Sequence, residues 1–215
     1  MKLYAHPFSS YCQKVLIALY ENDTPFDYRS LEEESANAEL VALWPVKRFP
    51  VLVDGDRTII ESTSILEYLD LAHPGPTRLI PADPLAGLEV RTLDRIFDNY
   101  VMTPMQRIVG DAIRDPAERD HKIVPEAKAA LDKIYAWLDE KLTGRTWAAG
   151  DDFGLADCAA APSLLYADWV HPIGEQQSAL RAYRQHLLAR PSFARAVDEA
   201  RPYRSYFPPG APDRD

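Results

Sequence analysis

The segment His73-Pro74-Gly75-Pro76-Thr77-Arg78-Leu79-Ile80-Pro81-Ala82-Asp83-Pro84 holds four prolines, and the hydrophobic period changes across it. Proline locks φ and removes a backbone donor, so neither a helix nor a sheet ladder runs through such a stretch. Before it, short strand-like runs alternate with helical ones. After it, apolar residues recur only at helical spacing. A chain patterned this way is expected to build an α/β layer with a mixed sheet, then an all-helical bundle, joined by a stiff linker. The predicted boundaries are a first domain over 1–75, a linker over 76–84 and a helical domain over 85–215, with an irregular tail from about residue 201.

Within the first domain the order reads βαβ, helix, β-hairpin, helix. Lys2 to Ala5 forms the first strand. Val15, Leu16, Ala18 and Leu19 give the apolar face of a helix over Ser10 to Glu21, which Asn22 closes and Pro25 prevents from continuing. Phe26 and Tyr28 alternate with polar residues as on a second strand, and a weak helix covers Ala36 to Leu43. Asp54-Gly55-Asp56 between Val51–Val53 and Thr58–Ile60 is a hairpin signal, since Gly accepts positive φ. Ser64-Ile65-Leu66-Glu67 spells a capping box for a third helix. In the second domain, Leu93, Ile96, Phe97, Tyr100, Pro104 and Ile108 follow one face of a long helix. Asp115-Pro116-Ala117-Glu118 reads as a helix start. Leu131, Ile134, Leu138 and Leu142 form a stripe ending near Gly144. A helix from Gly154 past Trp169, kinked at Pro162, and a last pair over Ser178 to Ala200 complete the bundle.

Bulk properties narrow the partners. A formal net charge of −9 argues against nucleic acid, whose phosphates demand a basic face. No apolar run is long enough to span a bilayer, and the N-terminus lacks a signal-peptide core. Two cysteines, Cys12 and Cys158, are too few for a disulfide framework. A cytoplasmic protein is the expectation, without a membrane partner. The five histidines show no local metal-ligand spacing, so no metal is expected.

The stretch that carries chemistry is Phe8-Ser9-Ser10-Tyr11-Cys12-Gln13-Lys14-Val15, a turn entering the first helix directly after the first strand. By residue type alone, Ser9 or Ser10 is an N-cap. The spacing also resembles the Cys-Pro-Tyr-Cys-x-Lys of glutaredoxins, with Ser9 at the nucleophilic cysteine, a replacement found in many cytosolic glutathione S-transferases. The resemblance continues in order along the chain. Trp44-Pro45-Val46-Lys47-Arg48-Phe49-Pro50-Val51 looks like the family's approach to a cis proline, Pro50 here. That implies a main-chain contact from Val51 to glutathione and places Lys47 near the glycine carboxylate. Glu61-Ser62 resembles the pair that holds the γ-glutamyl end. The capping box at Ser64 offers the competing reading of Ser62 as approach chain. Asp152-Phe153-Gly154-Leu155-Ala156-Asp157 resembles the family's helical-domain capping box with Gly154 in place of a hydroxyl residue, which makes Asp157 structural.

What the resemblance implies is a thioredoxin-like glutathione-binding domain followed by an all-α helical-bundle domain, a homodimer, and glutathione as co-substrate for a small electrophile or hydroperoxide, a detoxification chemistry. Ser9 is the thiolate donor, with Ser10 the alternative if the turn is shifted by one. Tyr11, Tyr100, Met105, Tyr166 and Trp169 are candidates for the electrophile pocket, with Tyr203, Tyr206 and Phe207 as a lid. Two other readings stay open. One is a glutathione-dependent isomerase or lyase, since the Ser9-Ser10 pair is similar to that of maleylacetoacetate isomerases. The other is a glutathione-binding module without catalysis.

Overall fold

The computed structural model describes residues 1–215. Strand β1 (Lys2–Ala5) leads into helix α1 (Ser10–Glu21), strand β2 (Asp27–Ser30) and helix α2 (Glu34–Leu43), then the hairpin β3 (Val51–Asp54) and β4 (Arg57–Ile60) and helix α3 (Ser62–Ala72). The sheet order is β2-β1-β3-β4. β1 pairs parallel to β2 and antiparallel to β3, with Tyr4 opposite Val51, and β4 returns antiparallel to β3. This is a thioredoxin-like layer with a mixed sheet. Helices follow: α4 (Pro84–Ile96), a π-helical turn (Phe97–Met102), α5 (Thr103–Ile113), α6 (Ile123–Leu142), α7 (Leu155–Val170), α8 (Ser178–Leu188) and α9 (Pro191–Ala200).

Three local expectations need correction. Asp115 does cap a helix start, accepting from the Ala117 amide at 2.9 Å, but only a 3₁₀ turn, Pro116–Glu118, follows. Every residue of that turn is exposed, so no apolar face extends it, and α6 starts later at Ile123. The third helix is capped at Glu61 rather than Ser64 and begins at Ser62, because Glu61 breaks the strand at φ 67°. Ser62 is therefore the first helical residue. The tail is partly regular: Arg201–Tyr206 makes a 3₁₀ helix, and Arg201 and Arg204 pair with Asp215 at 2.5 and 2.6 Å.

The proline-rich segment is bonded to both sides. Arg78 and the Leu79 amide bind Asp70 of α3, and the Asn22 side chain bridges both main-chain groups of Thr77. Leu79 is buried, and its carbonyl accepts the Leu155 amide at 2.9 Å. That contact explains Gly154, since a Cβ there would lie 2.7 Å from the Leu79 oxygen. Asp157 completes the cap from the other direction, accepting from the Gly154 and Ala148 amides, both at 2.9 Å, and from the Tyr183 hydroxyl at 2.6 Å. One apolar core runs from Leu3 and Leu16 through Leu79 and Phe97 to Leu131, Leu164 and Phe193. Burying it drives the two layers together.

Candidate functional site

Where the sheet layer meets the helices lies a cleft of about 1030 Å³. Its first wall comes from the sheet layer: Ser9, Ser10 and Tyr11 at the start of α1, Lys47 to Pro50, and Glu61 to Ser64. Its second wall consists of residues from α4, the π-helical turn, α5 and α7, with Asp98, Asn99, Met105 and Tyr166 among them. Tyr206, Phe207 and Pro208 of the tail close one end.

Ser9 is the N-cap of α1, extended at φ −82°, ψ 125°. Its Oγ accepts from the Cys12 amide at 3.4 Å. A hydroxyl has one proton and two acceptor sites, so accepting this long bond does not use the O–H, which lies within reach of the Cys12 sulfur on one side and borders the cleft on the other. The first-turn amides of α1 add a partial positive charge beside it. Ser10 also lines the cleft but is buried as the first helical residue. Cys12 is fully buried, with its thiol pushed up to about 12 by burial. A thiol in that state is neither nucleophile nor redox partner at neutral pH.

Across the cleft the Phe49–Pro50 peptide is cis, and Lys47 and Glu61 both have positive φ, 59° and 67°. Non-glycine residues in that region carry strain and cluster where function over-determines the backbone. Glu61 makes no side-chain cap to α3, so the amides of Ser62 to Ser64 remain open to an anion. Most nearby charges are spoken for: Asp98 by Lys14, Arg95 by Asp94, Arg91 by Glu67. Lys47, Arg48 and Glu61 line the cleft without such a pair. Val51 is buried against Tyr4, Ala36 and Leu40, and the cleft lining stops one residue before it, at Pro50.

Beneath the junction of the walls sits a buried charge network. Lys14 Nζ lies 2.5 Å from Asp94 Oδ1 and 2.7 Å from Asp98 Oδ2. It also donates to Thr63 Oγ1 at 2.9 Å, and Thr63 donates onward to Asp94 at 2.9 Å. Burial raises the Asp98 carboxyl above its ordinary range, against the pull of Lys14. This network ties α1, α3 and α4 together directly under the site. Sequence reasoning passed over it, yet a signal was present. Asp94 and Asp98 are like charges at i,i+4, which repel on a helix face unless a cation sits between them.

The co-substrate residues expected from sequence divide into two groups. Tyr11, Met105 and Tyr166 line the cleft. The Tyr11 phenol is pushed up to about 12, chiefly by burial and then by Asp98 and Glu61, so it stays a protonated donor. Tyr166 is buried, its hydroxyl donating to the Phe8 carbonyl at 2.9 Å and accepting from Gln13 at 3.0 Å. Trp169 stands behind the wall, edge-on to Phe207 at 5.2 Å, because Phe8 and Phe207 come between it and the opening. Tyr100 is 60% exposed and outside the cleft. It lies in the π-helical turn, whose wider winding breaks the 3.6-residue count; Val101 is buried in its place. Of the expected lid, Tyr206 and Phe207 reach the cleft, while Tyr203 packs edge-on against His6 at 4.7 Å.

Comparison with known proteins places the chain. Residues 3–77 match the model of the glutathione S-transferase N-terminal domain, and residues 96–191 match that of the C-terminal domain. The chain belongs to the glutathione S-transferase family. Among its relatives, glutathione S-transferase 1 of Dianthus caryophyllus is 32% identical, the match covering 77% of this chain and 76% of that one. The stringent starvation protein A homolog of Coxiella burnetii is 29% identical over 93% of this chain and 92% of its own length. A solved glutathione S-transferase from Methylobacillus flagellatus with glutathione bound superposes with a TM-score of 0.81 at 25% identity, covering 91% of this chain and 98% of that one. No group of three or more His, Cys, Asp or Glu side chains converges as a metal site. No helix is long and apolar enough to cross a membrane.

Proposed function

We propose that the chain is an active glutathione transferase in which Ser9 holds the glutathione thiolate for attack on a small hydrophobic electrophile or a hydroperoxide. The observation that carries this reading is the Ser9 hydroxyl, which caps α1 and lines the cleft. A free thiol has a pKa near 8.5, and lowering it by about two units requires roughly 2.7 kcal/mol. A hydroxyl donating to a charged acceptor supplies about 1.5–3 kcal/mol, and the helix terminus about 0.3–1 kcal/mol more. Those two terms suffice without a basic residue. Glu61 takes the γ-glutamyl ammonium, Ser62 and the α3 amides its carboxylate, the Val51 main chain the cysteinyl part, and Lys47 the glycine carboxylate. Tyr11, Met105 and Tyr166 face the electrophile. In this reading the protein works in the cytoplasm, in detoxification, without a metal or nucleic acid.

The test is substitution at Ser9 combined with titration of bound glutathione. Ser9→Ala should raise the bound thiol pKa and lower conjugation about 10- to 100-fold while glutathione still binds. Ser9→Cys should exchange conjugation for mixed-disulfide chemistry, because a cysteine at a helix N-terminus is acidified and nucleophilic. If Ser10→Cys makes that switch instead, Ser10 is the donor. A wild type that binds glutathione with an unshifted thiol supports the second reading, a non-catalytic glutathione-binding module. That reading draws on the full-length match to a relative named for starvation rather than for a chemistry.

The family resemblance also implies a homodimer. Arg91 and Arg95 would be natural contacts, but they are engaged by Glu67 and Asp94 of their own chain. Better support is a groove of about 550 Å³ between α4 and α6, rimmed by exposed Leu85, Leu88 and Trp137, an apolar surface suited to a two-fold contact. Sedimentation of wild type and Leu88→Glu at micromolar concentration tests it; a single-chain mass for wild type rejects the dimer.

A further inference from the structure

His6 lies outside the roles assigned so far, yet three of its polar groups act on the turn that carries Ser9 or on its surroundings. The turn is His6-Pro7-Phe8-Ser9, between the end of β1 and the cap of α1. The His6 carbonyl accepts the Ser9 amide at 3.0 Å, closing the turn. Inside it, His6 Nδ1 accepts the Phe8 amide at 3.2 Å. On the other edge of the ring, Nε2 lies 2.8 Å from Glu32 Oε1. A backbone amide only donates, so Nδ1 is the bare nitrogen and Nε2 carries the proton that Glu32 receives. Tyr203 of the tail packs edge-on against the ring at 4.7 Å, and the side chain is 14% exposed. Glu32 and Tyr203 thus hold the ring in the one tautomer and orientation that serve the Phe8 amide.

This arrangement does with an imidazole what an Asx-turn does with a carboxamide: a side-chain acceptor at one residue binds the amide two residues on. The two residues whose backbone it sets are both in the cleft. Ser9 presents the hydroxyl, and the Phe8 ring packs against Tyr166 at 5.4 Å and forms part of the wall. Without the acceptor, the Phe8 amide has no partner within the turn, and only the main-chain bond to the His6 carbonyl still holds the approach to Ser9.

We propose that His6 is a positioning residue, acting through its Nδ1 and the Phe8 amide to aim the Ser9 hydroxyl at the glutathione sulfur. The proposal rests on the Ser9 reading above. It makes a specific demand on substitutions. Asn carries an acceptor at the place of Nδ1, whereas Gln carries a donor near the place of Nε2 and nothing at Nδ1.

The experiment compares wild type, His6→Asn, His6→Gln and His6→Ala by two measurements: ultraviolet titration of the thiolate of bound glutathione, and the split of conjugation into kcat and KM for glutathione. His6→Asn should stay within about twofold of wild type. His6→Gln and His6→Ala should raise the bound thiol pKa by about one unit and lower kcat about tenfold, one pKa unit being a factor of ten, with KM for glutathione changed less than about twofold. A residue that merely supports the fold would not give rescue by Asn without rescue by Gln. If His6→Ala does not fold, the Asn and Gln variants still decide the matter. Equal thiol pKa values in Asn and Gln variants, or a wild-type value in Gln, overturn the proposal while leaving Ser9 in place. An unshifted thiol in wild type overturns the Ser9 reading and this inference together.

Discussion

The two walls of the cleft are built by different means. The sheet-side wall is almost entirely backbone placement: an N-cap at Ser9, a cis Phe49–Pro50 peptide, positive φ at Lys47 and Glu61, and an uncapped α3 N-terminus. The helical wall is placed by side chains on elements whose phase is set elsewhere, by a π-helical turn and by a tail whose arginines pair with Asp215. Backbone devices fix where the polar groups of this wall stand, the open α3 amides and the side chains of Ser9, Lys47 and Glu61. Side chains on helices are free to vary without disturbing a ladder or a turn, so such a wall suits a variable co-substrate. The walls meet over Lys14, Asp94, Asp98 and Thr63, and the largest effect is expected there.

Lys14→Met removes the cation from between the buried Asp94 and the half-buried Asp98. Breaking a buried pair by deleting one partner costs about 3–5 kcal/mol, near 10 °C in melting temperature for a chain of this size. The pH dependence follows from Asp98. Burial already raises its folded-state carboxyl above the ordinary value, and loss of Lys14 raises it further. A carboxyl raised in the fold binds its proton more tightly folded than unfolded, so its cost is fully present above the folded pKa and is relieved as pH falls through it. The defect of Lys14→Met should therefore shrink between pH 7.5 and pH 5. Thermal melts of both proteins across that range check it, and a pH-independent difference would mean that the network is held by packing rather than charge.

Glu61→Ala tests the sheet-side wall alone. It should weaken glutathione by about 1.5–3 kcal/mol, the scale of one charge-assisted contact, and leave the KM of the co-substrate unchanged. Calorimetry that finds unaltered affinity after combined replacement of Glu61 and Ser62 removes them from the site. Much of this wall was legible in the sequence, because its devices have local signatures: a strand, then serines, then a helical stripe gives α1 with its boundaries, and Asp54-Gly55-Asp56 gives the hairpin. What was not legible is equally local in cause. The capping box at Ser64 is a sound pattern, but Glu61 takes a positive φ that no residue type announces, and the helix starts three residues early. The exposed Pro116–Glu118 turn shows the converse, a correct cap signal with no apolar face behind it.

The joint between the walls and the linker offers a smaller effect. Gly154→Ser restores the hydroxyl that the family resemblance leads one to expect at this cap, a gain of a few tenths of a kcal/mol. Its Cβ would sit 2.7 Å from the Leu79 carbonyl oxygen, a backbone atom tied to the Leu155 amide. Overpacking of that kind costs about 1–3 kcal/mol, so the variant should be less stable by urea titration. A more stable variant would show that the linker yields.

The smallest effects separate true from apparent members of the helical wall. By helical spacing alone, Tyr100 belongs with Leu93, Ile96 and Phe97, but the π-helical turn from Phe97 to Met102 carries its ring to the surface. Tyr206 has no periodic signal, since it ends a 3₁₀ helix in a tail rich in Pro, Tyr and Arg, and yet it borders the cleft with its hydroxyl 3.4 Å from Glu32. If the helical wall holds the co-substrate, Tyr206→Ala should raise co-substrate KM about fivefold, the loss of roughly 1 kcal/mol of apolar contact, with glutathione affinity unchanged. Tyr100→Ala should change neither constant by more than about twofold, as surface replacements away from a site stay within about 0.5 kcal/mol. Parallel kinetics on the two variants decide the point. A Tyr100 effect on co-substrate KM without a Tyr206 effect would place the second substrate on the outer face of the π-helical turn, and the cleft would then serve glutathione alone.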